Sequence, residues 1–361
     1  MHDDDKLQQI RVRIDQLDEQ IQELISQRAD AARQVADIKL NAGEEAIYYR
    51  PEREAEVLTR VKERNRGPLG GEEMARLFRE IMSACLALEQ RLRIAFLGPE
   101  GTFTQAAALK HFGHSVDTIA MNAIPDIFRE VESGACHYGV VPVENSTEGV
   151  ISHTLDMFLN SPLQICGEVT LRIHHHLLSR QTELKTIRRV FSHQQSLAQC
   201  RLWLDRNLQH AEQIAVGSNA EAARLAREDA EAAAIAGEMA AELYQLPRLV
   251  ENIEDEPDNT TRFLVIGRQQ ARPSGRDKTT LLLSARNVAG SLHTLLEPLA
   301  QDDISMTRIE SRPSRRGMWD YVFFIDIEGH REEPNVAHAL KVLEKEASLF
   351  KVLGSYPIAV L

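Results

Sequence analysis

Apolar residues at Leu7, Ile10, Ile14, Leu17, Ile21, Leu24, Ala31, Val35 and Ile38 alternate spacings of three and four, and Arg28 occupies one place in the series. A heptad seam of that regularity predicts one long helix packed against partner helices, ending near Gly43. A second helix starts at Pro51, a favoured first helical residue, and runs to about Asn65. Gly67, Pro68, Gly70 and Gly71 then break the chain, and a third helix carries Met74, Leu77, Phe78, Ile81, Cys85 and Leu88. A unit this small cannot bury such faces alone, which predicts an intertwined dimer.

At Arg93 the cadence changes. A short buried strand at 94–97, the turn Gly98-Pro99-Glu100-Gly101 and a helix from about Phe103 open a series of strand–helix alternations. Further strands are expected at 138–143, 190–192, 214–216 and 233–236, giving an α/β fold with mainly parallel strands to about Gly267. Residues 268–278, charged and carrying Pro273 and Gly275, read as a linker. Beyond it come a strand at 279–285, a helix at 290–299, strands at 304–309 and 321–327, a helix at 335–347 and a strand at 350–354. That βαββαβ order is ferredoxin-like. The expected division is 1–92, 93–268, a linker at 269–278, and 279–361.

Composition narrows the function. A net charge of −12 over 361 residues argues against a nucleic-acid partner. No apolar run approaches the ~20 residues of a membrane span, and the acidic N-terminus does not resemble a signal peptide. Cys85, Cys136, Cys166 and Cys200 lack C-x-x-C spacing, which suits reduced thiols in a cytoplasm. His174, His175 and His176 form a run, but consecutive residues of a strand point to alternate faces, so neither a metal nor a cofactor is expected.

Arg28 is the first candidate for chemistry. A guanidinium in an apolar seam needs an anion, either a protein carboxylate at the bundle edge or a bound ligand. Lys39 lies eleven residues on, roughly 20° round the helix and about 16 Å along it. Arg11, seventeen residues away, sits about 100° from Arg28, so it would reach the same ligand from another subunit. In the α/β region, the loop Gly98–Thr104 makes an anion cradle at a helix start, without the pattern of a nucleotide loop. Glu144-Asn145-Ser146, the segment from Ser192 through Gln199 to Cys200, and Asn259-Thr260-Thr261-Arg262-Phe263 place polar groups at further strand ends. Together they predict a small-anion pocket. No Ser/His/Asp order suggests a nucleophile.

These segments resemble the signatures of prephenate dehydratases. Ile309-Glu310-Ser311-Arg312-Pro313 resembles the phenylalanine motif of an ACT domain, and the N-terminal helices resemble the chorismate mutase fused ahead of both in a bacterial bifunctional family. The resemblance implies an all-α mutase as an intertwined dimer, a two-lobed, periplasmic-binding-protein-like α/β dehydratase, and a ferredoxin-like ACT domain. It implies chorismate, prephenate and phenylalanine as ligands. Arg28 and the partner subunit's Arg11 would bind the carboxylates of chorismate, Lys39 would donate to the ether oxygen, and Glu54 would hold the ring hydroxyl. Cys85 and Glu89 would line that site. In the dehydratase, Thr261 would assist the leaving hydroxyl, Arg262 and Phe263 would shape the pocket, and Glu144, Asn145, Ser146, Ser192 and Gln199 would position substrate. Phenylalanine would bind at ACT–ACT interfaces near Gly290, Ser291, Leu292, His293 and Glu310–Pro313.

Three departures from the family pattern stand out. Glu89 replaces a glutamine that donates to the ether oxygen, and an ionised carboxylate cannot donate, so mutase activity should fall as Glu89 ionises. Arg50 stands where some relatives carry an aspartate, and Gly290-Ser291-Leu292-His293 departs from the commoner Gly-Ala-Leu-Val. Two other readings stay open: an arogenate-using dehydratase, and an amino-acid sensor without enzyme activity.

Overall fold

Pro51 and the glycines after Asn65 delimit the helical region as their backbone preferences require. In the computed structural model, which describes residues 2–41, 49–284, 288–313 and 321–361, helices α1 (His2–Asn41), α2 (Pro51–Arg64) and α3 (Gly71–Glu89) come first. The expected end of α1 at Gly43 lies outside the described residues. Helix α1 lies against α3, but its seam is bare in the single chain: Ile10, Ile21 and Leu24 are 57%, 54% and 62% exposed. Helix α2 instead buries Pro51, Leu58 and Val61, a stripe that also contains Glu54. Tyr49, just before α2, joins a core with Phe112, Tyr138 and Val140.

The middle of the chain forms two α/β lobes. The first holds β1 (Arg93–Leu97), α4 (Phe103–Phe112), β2 (Asp117–Met121), α5 (Ile124–Glu132), β3 (Tyr138–Asn145), β4 (Gly149–Val150), α6 (Ser152–Phe158) and β5 (Gln164–Arg172). The second holds β6 (His176–Ser179), β7 (Arg189–His193), α7 (Gln194–Gln199), α8 (Arg201–Asn207), β8 (Glu212–Val216), α9 (Asn219–Glu228), β9 (Ala232–Ala236), α10 (Glu238–Tyr244) and β10 (Arg248–Val250). Strand β11 (Thr260–Gly267) then returns to the first lobe, whose order is β2-β1-β3-β11-β5, with β4 beside β3. The second sheet runs β10-β6-β9-β7-β8.

The expectation of mainly parallel strands is corrected here. Strand β1 is parallel to β2 and β3, and β7 to β8 and β9, but β11 runs antiparallel to both its neighbours. Strands β6 and β10 are antiparallel as well. The reason is topological: the chain crosses between lobes twice, so the returning strand enters the first sheet reversed. The histidine run is corrected too. It does not lie within one strand; His174 and His175 form the first crossing and His176 begins β6.

The last module contains β12 (Asp277–Ser284), α11 (Ser291–Gln301), β13 (Met306–Pro313), β14 (Tyr321–Glu328), α12 (Pro334–Glu346) and β15 (Leu349–Pro357), with sheet order β13-β14-β12-β15. Ala285, the expected end of β12, lies outside the described residues. One sheet face packs on α11 and α12 through Leu281, Leu295, Ile325 and Leu340. The other packs on the first lobe, where Leu282, Phe324, Leu353 and Tyr356 meet Leu155, Phe158 and Ile165. Gly354 permits this docking, because a Cβ there would overlap the backbone of Ile165. No described helix is long and apolar enough to cross a membrane.

Candidate active sites

Strand ends and helix starts from both lobes enclose a cleft of about 400 Å³. Its walls include Gly98 and Gly101–Thr104 from the first lobe, His193, Ser196 and Asn219 from the second, and Asn145, His175, Gln199, Thr261 and Phe263 near the crossings. The predicted cradle is thus part of the cleft, although the Gly101 amide is already taken by Gln105 Oε1.

Asn145 and Thr261 are paired across β3 and β11. The orientation of the Asn145 amide is unambiguous: the backbone N–H groups of Thr147 and Glu148 both donate to one of its atoms, which must be the oxygen. Its nitrogen therefore donates to Thr261 Oγ1 and to Asn259 Oδ1, both at 2.8 Å. Thr261 accepts from inside the protein and keeps its own proton for something else. Asn259 passes the network on to Gln199 Oε1 at 3.1 Å, and His175 Nε2 meets the same oxygen at 2.8 Å. The shared acceptor places the imidazole proton on Nε2 and leaves Nδ1 a bare, buried acceptor. Burial lowers the His175 pKa, only partly offset by Gln199 and Glu254, so the ring is neutral.

Four predicted pocket residues do not line the cleft. Arg262 follows Thr261 on β11 and so points to the opposite side of the sheet. There it binds Glu168 at 2.8 Å, Asp326 at 2.6 Å and the Tyr356 hydroxyl at 3.0 Å. Burial alone would lower its pKa, but Tyr356, Asp326 and Glu168 outweigh that and raise it. Glu144, the cross-strand partner of Arg262, likewise turns away and pairs with Arg308 at 3.0 Å. Ser192 is fully buried and donates to Asn219 Oδ1 or the Ile235 carbonyl, holding the second lobe together. Ser146 accepts from the Thr260 amide and braces the strand end. The sequence reading did not single out His175, Asn259, Thr147 or Asn219 as site residues. Most of their partners are distant in the chain, and only the Asn259-Thr260-Thr261 motif points to one of them.

The mutase candidates are carried by the three N-terminal helices, α1, α2 and α3. Arg11 is exposed and Arg28 half-buried on the seam of α1, while Cys85 is buried and Glu89 half-buried on α3. Lys39 lies on α1, but its side chain is outside what the structure describes. On α2, Glu54 Oε1 lies 3.0 Å from Arg79 Nε, beside Tyr49, His111 and residues 357–361. The cause is its position on the stripe of α2 buried against α3 and the chain's last strand. That contact is a close charge pair rather than a directed hydrogen bond, since Arg79 Nε has no partner of suitable geometry. Burial raises the Glu54 pKa, and Arg79 opposes it.

In the last module, Gly290 caps α11 at φ 84°, a left-handed conformation that favours glycine. Ser291 and Leu292 are half-buried and His293 exposed. On β13, Ser311 and Pro313 are exposed, Glu310 is half-buried, and Arg312 reaches Asp156 at 3.1 Å and Ser152 of the first lobe. No described group of three or more His, Cys, Asp or Glu side chains could hold a metal ion.

A helical module with an uncovered heptad seam, a cleft between two α/β lobes and a small βαββαβ domain define a three-part chain with a ligand-binding cleft at its centre. Family models match in that order: chorismate mutase type II at 10–90, prephenate dehydratase at 94–271 and ACT domain at 279–345. A curated protein of Stutzerimonas stutzeri, named bifunctional chorismate mutase/prephenate dehydratase, is 58% identical over the full length of both chains. The chain belongs to the bifunctional chorismate mutase/prephenate dehydratase family. Among solved structures, prephenate dehydratase from Arthrobacter aurescens in complex with L-Phe superimposes with a TM-score of 0.68 at 34% identity, over 74% of this chain and 90% of that one. A protein described as a quorum-quenching acylase, GqqA, has the same TM-score at 31% identity, over 74% of this chain and 98% of that one.

Proposed function

We propose that residues 1–92 rearrange chorismate to prephenate, that 93–268 convert prephenate to phenylpyruvate, and that 279–361 sense phenylalanine. The mutase step is pericyclic and needs no nucleophile, only a clamp for a flexible dianion and a donor to the ether oxygen. Arg28 of one protomer, Arg11 of a second copy and Lys39 supply those charges, with Cys85 and Glu89 lining the site. The bare seam of α1 supports a homodimer, because leaving so many apolar side chains in water is unfavourable. Glu54 takes part only if its bond to Arg79 is exchanged for one to substrate.

In the dehydratase cleft the carboxylate carbon–carbon bond breaks, its electron pair completes the aromatic ring, and the ring hydroxyl leaves as the C–O bond opens. The departing hydroxide takes up one proton from solvent, so carbon dioxide and water are the by-products. Thr261 donates its hydrogen bond to the departing oxygen, which is the role left to it once Asn145 occupies its acceptor side. That single contact carries the reading. Gln199 and His175 orient substrate from the crossing, and Phe263 excludes water. Phenylalanine, bound where Gly290–His293 of one ACT domain meet Glu310–Pro313 of another, lowers dehydratase turnover in a cytoplasmic enzyme that needs no cofactor. Feeding chorismate to purified protein and following phenylpyruvate tests both steps. With Thr261→Val the reaction should stop at prephenate, and wild-type phenylpyruvate formation by that variant would overturn the assignment. Arogenate supplied in parallel, with phenylalanine as the product assayed, separates the two dehydratase substrates.

A further inference from the structure

Strands β3 and β11 carry two different sets of groups on their two faces. Asn145 and Thr261 are cross-strand partners toward the cleft; Glu144 and Arg262, the residues beside them, are cross-strand partners toward the ACT sheet. On that side opposite charges meet across the interface. Glu144 pairs with Arg308 of β13, Arg262 with Asp326 of β14, and Glu168 of β5 with both Arg262 and Lys278 of β12. Thr280 and Tyr356 complete the cluster, each hydroxyl 2.7 Å from the other, and Thr280 also donates to Asp326. The side chains of Glu168 and Asp326 are 5% and 2% exposed, so the bonds Arg262 makes to them are shielded from bulk water.

We propose that Glu144 and Arg262 are positioning residues through which the ACT sheet sets the geometry of the Asn145–Thr261 pair. The inference rests on the dehydratase reading of the cleft and assigns a regulatory input to that same site. A buried ion pair is costly to break with one partner left behind, so a movement of the ACT sheet must carry the end of β11 with it. The pairing of β11 with β3 slips between Arg262 and Phe263, which gives the tip freedom to follow. The interface also holds spare capacity: Arg308 Nη2 and Arg312 Nε are buried without a hydrogen-bond partner, donors that a shifted arrangement would satisfy. An effector that prefers one arrangement of the ACT sheet would thereby move a catalytic hydroxyl it never touches.

The test uses the full chain. Asp326→Asn removes a charge from the ACT side, and Glu144→Arg, Arg308→Glu and their double swap form a cycle at the more accessible pair. Dehydratase kcat should fall about tenfold or more in each single variant with little change in KM, since misplacement by a fraction of an ångström is felt in the transition state. Mutase rate in the same preparations should be unchanged, and the phenylalanine concentration for half-inhibition should shift by roughly fivefold or more. The double swap should restore both readouts. Where Asp326→Asn does not fold, the swap cycle decides alone. Single variants with lowered melting temperature but unaltered kcat and phenylalanine response would overturn the proposal, as would a double swap that restores neither. Thr261→Val is run alongside: normal dehydratase turnover there would remove the reading of the cleft itself, whatever the ACT-side variants do.

Discussion

Asn145 donates to Thr261 across 2.8 Å, so the threonine hydroxyl enters the cleft as a donor. Asn145→Asp replaces that donor by a carboxylate able to take the threonine proton. Dehydratase kcat should then fall by about 100-fold or more, the range of a lost acid–base contribution. Thr261→Ser should retain most of the turnover that Thr261→Val loses. Equal activity of Asn145→Asp and wild type, assayed as phenylpyruvate formed from prephenate, would show that the direction of this bond is irrelevant to catalysis.

Arg11 and Arg28 lie on one helix but face directions about 100° apart. If two copies share each mutase site, Arg11→Ala and Arg28→Ala should each be inactive, yet co-expression should recover about a quarter of wild-type activity. Half of randomly paired dimers are mixed, and each mixed dimer has one intact site. No recovery in isolated mixed dimers would place both arginines in the same protomer's site.

Desolvated imidazoles, His111 and His175 among them, oppose folding in acid. Burial, with Arg79 second, pushes the His111 pKa well below its ordinary value, and burial lowers that of His175. Both bind protons less readily in the folded chain than in the unfolded one, where imidazole titrates near 6.5. Below that pH the unfolded state holds more protons, so stability is full above about 6.5 and is lost as the pH falls. Glu54, whose pKa burial raises, acts in the opposite sense: its ionisation costs stability as pH climbs from the ordinary carboxylate range toward its raised value. The melting temperature should drop between about pH 7 and pH 5.5, and His111→Gln should make that drop shallower. An equally steep decline in His111→Gln would acquit this residue.

Glu89 is the last residue of α3. Mutase activity should fall with rising pH in the native chain and become flatter in Glu89→Gln, with dehydratase unaffected. Matching mutase pH profiles for the two proteins would sink the idea.

Helices and strands were readable wherever periodicity and breakers coincided, as at Pro51, Phe103 and the βαββαβ module. Three features were not readable, for separate reasons. The reversed entry of β11 is a property of topology, because a strand's own pattern does not say which neighbour it joins. The motifs, in turn, present consecutive residues as one site, while a strand sends them to opposite faces; Glu144 and Arg262 were therefore grouped with Asn145 and Thr261. The cleft network escaped for a third reason. His175 with Gln199, and Asn145 with Asn259, are joined across 24 and 114 residues of chain, and no local spacing announces such a pair.

Tyr49 precedes the second mutase helix, yet its ring packs against Phe112 and Tyr138, its hydroxyl lies 2.9 Å from His111 Nε2, and its carbonyl accepts from Gln269. The boundary in function is therefore not a boundary in packing. An excised mutase ending at residue 92 would expose an aromatic ring to water, and the remaining enzyme would open with a notch where that ring had been. Anyone recombining these activities would do better to transplant Tyr49 with the dehydratase side, or to polish both cut surfaces, than to trust the end of a helix.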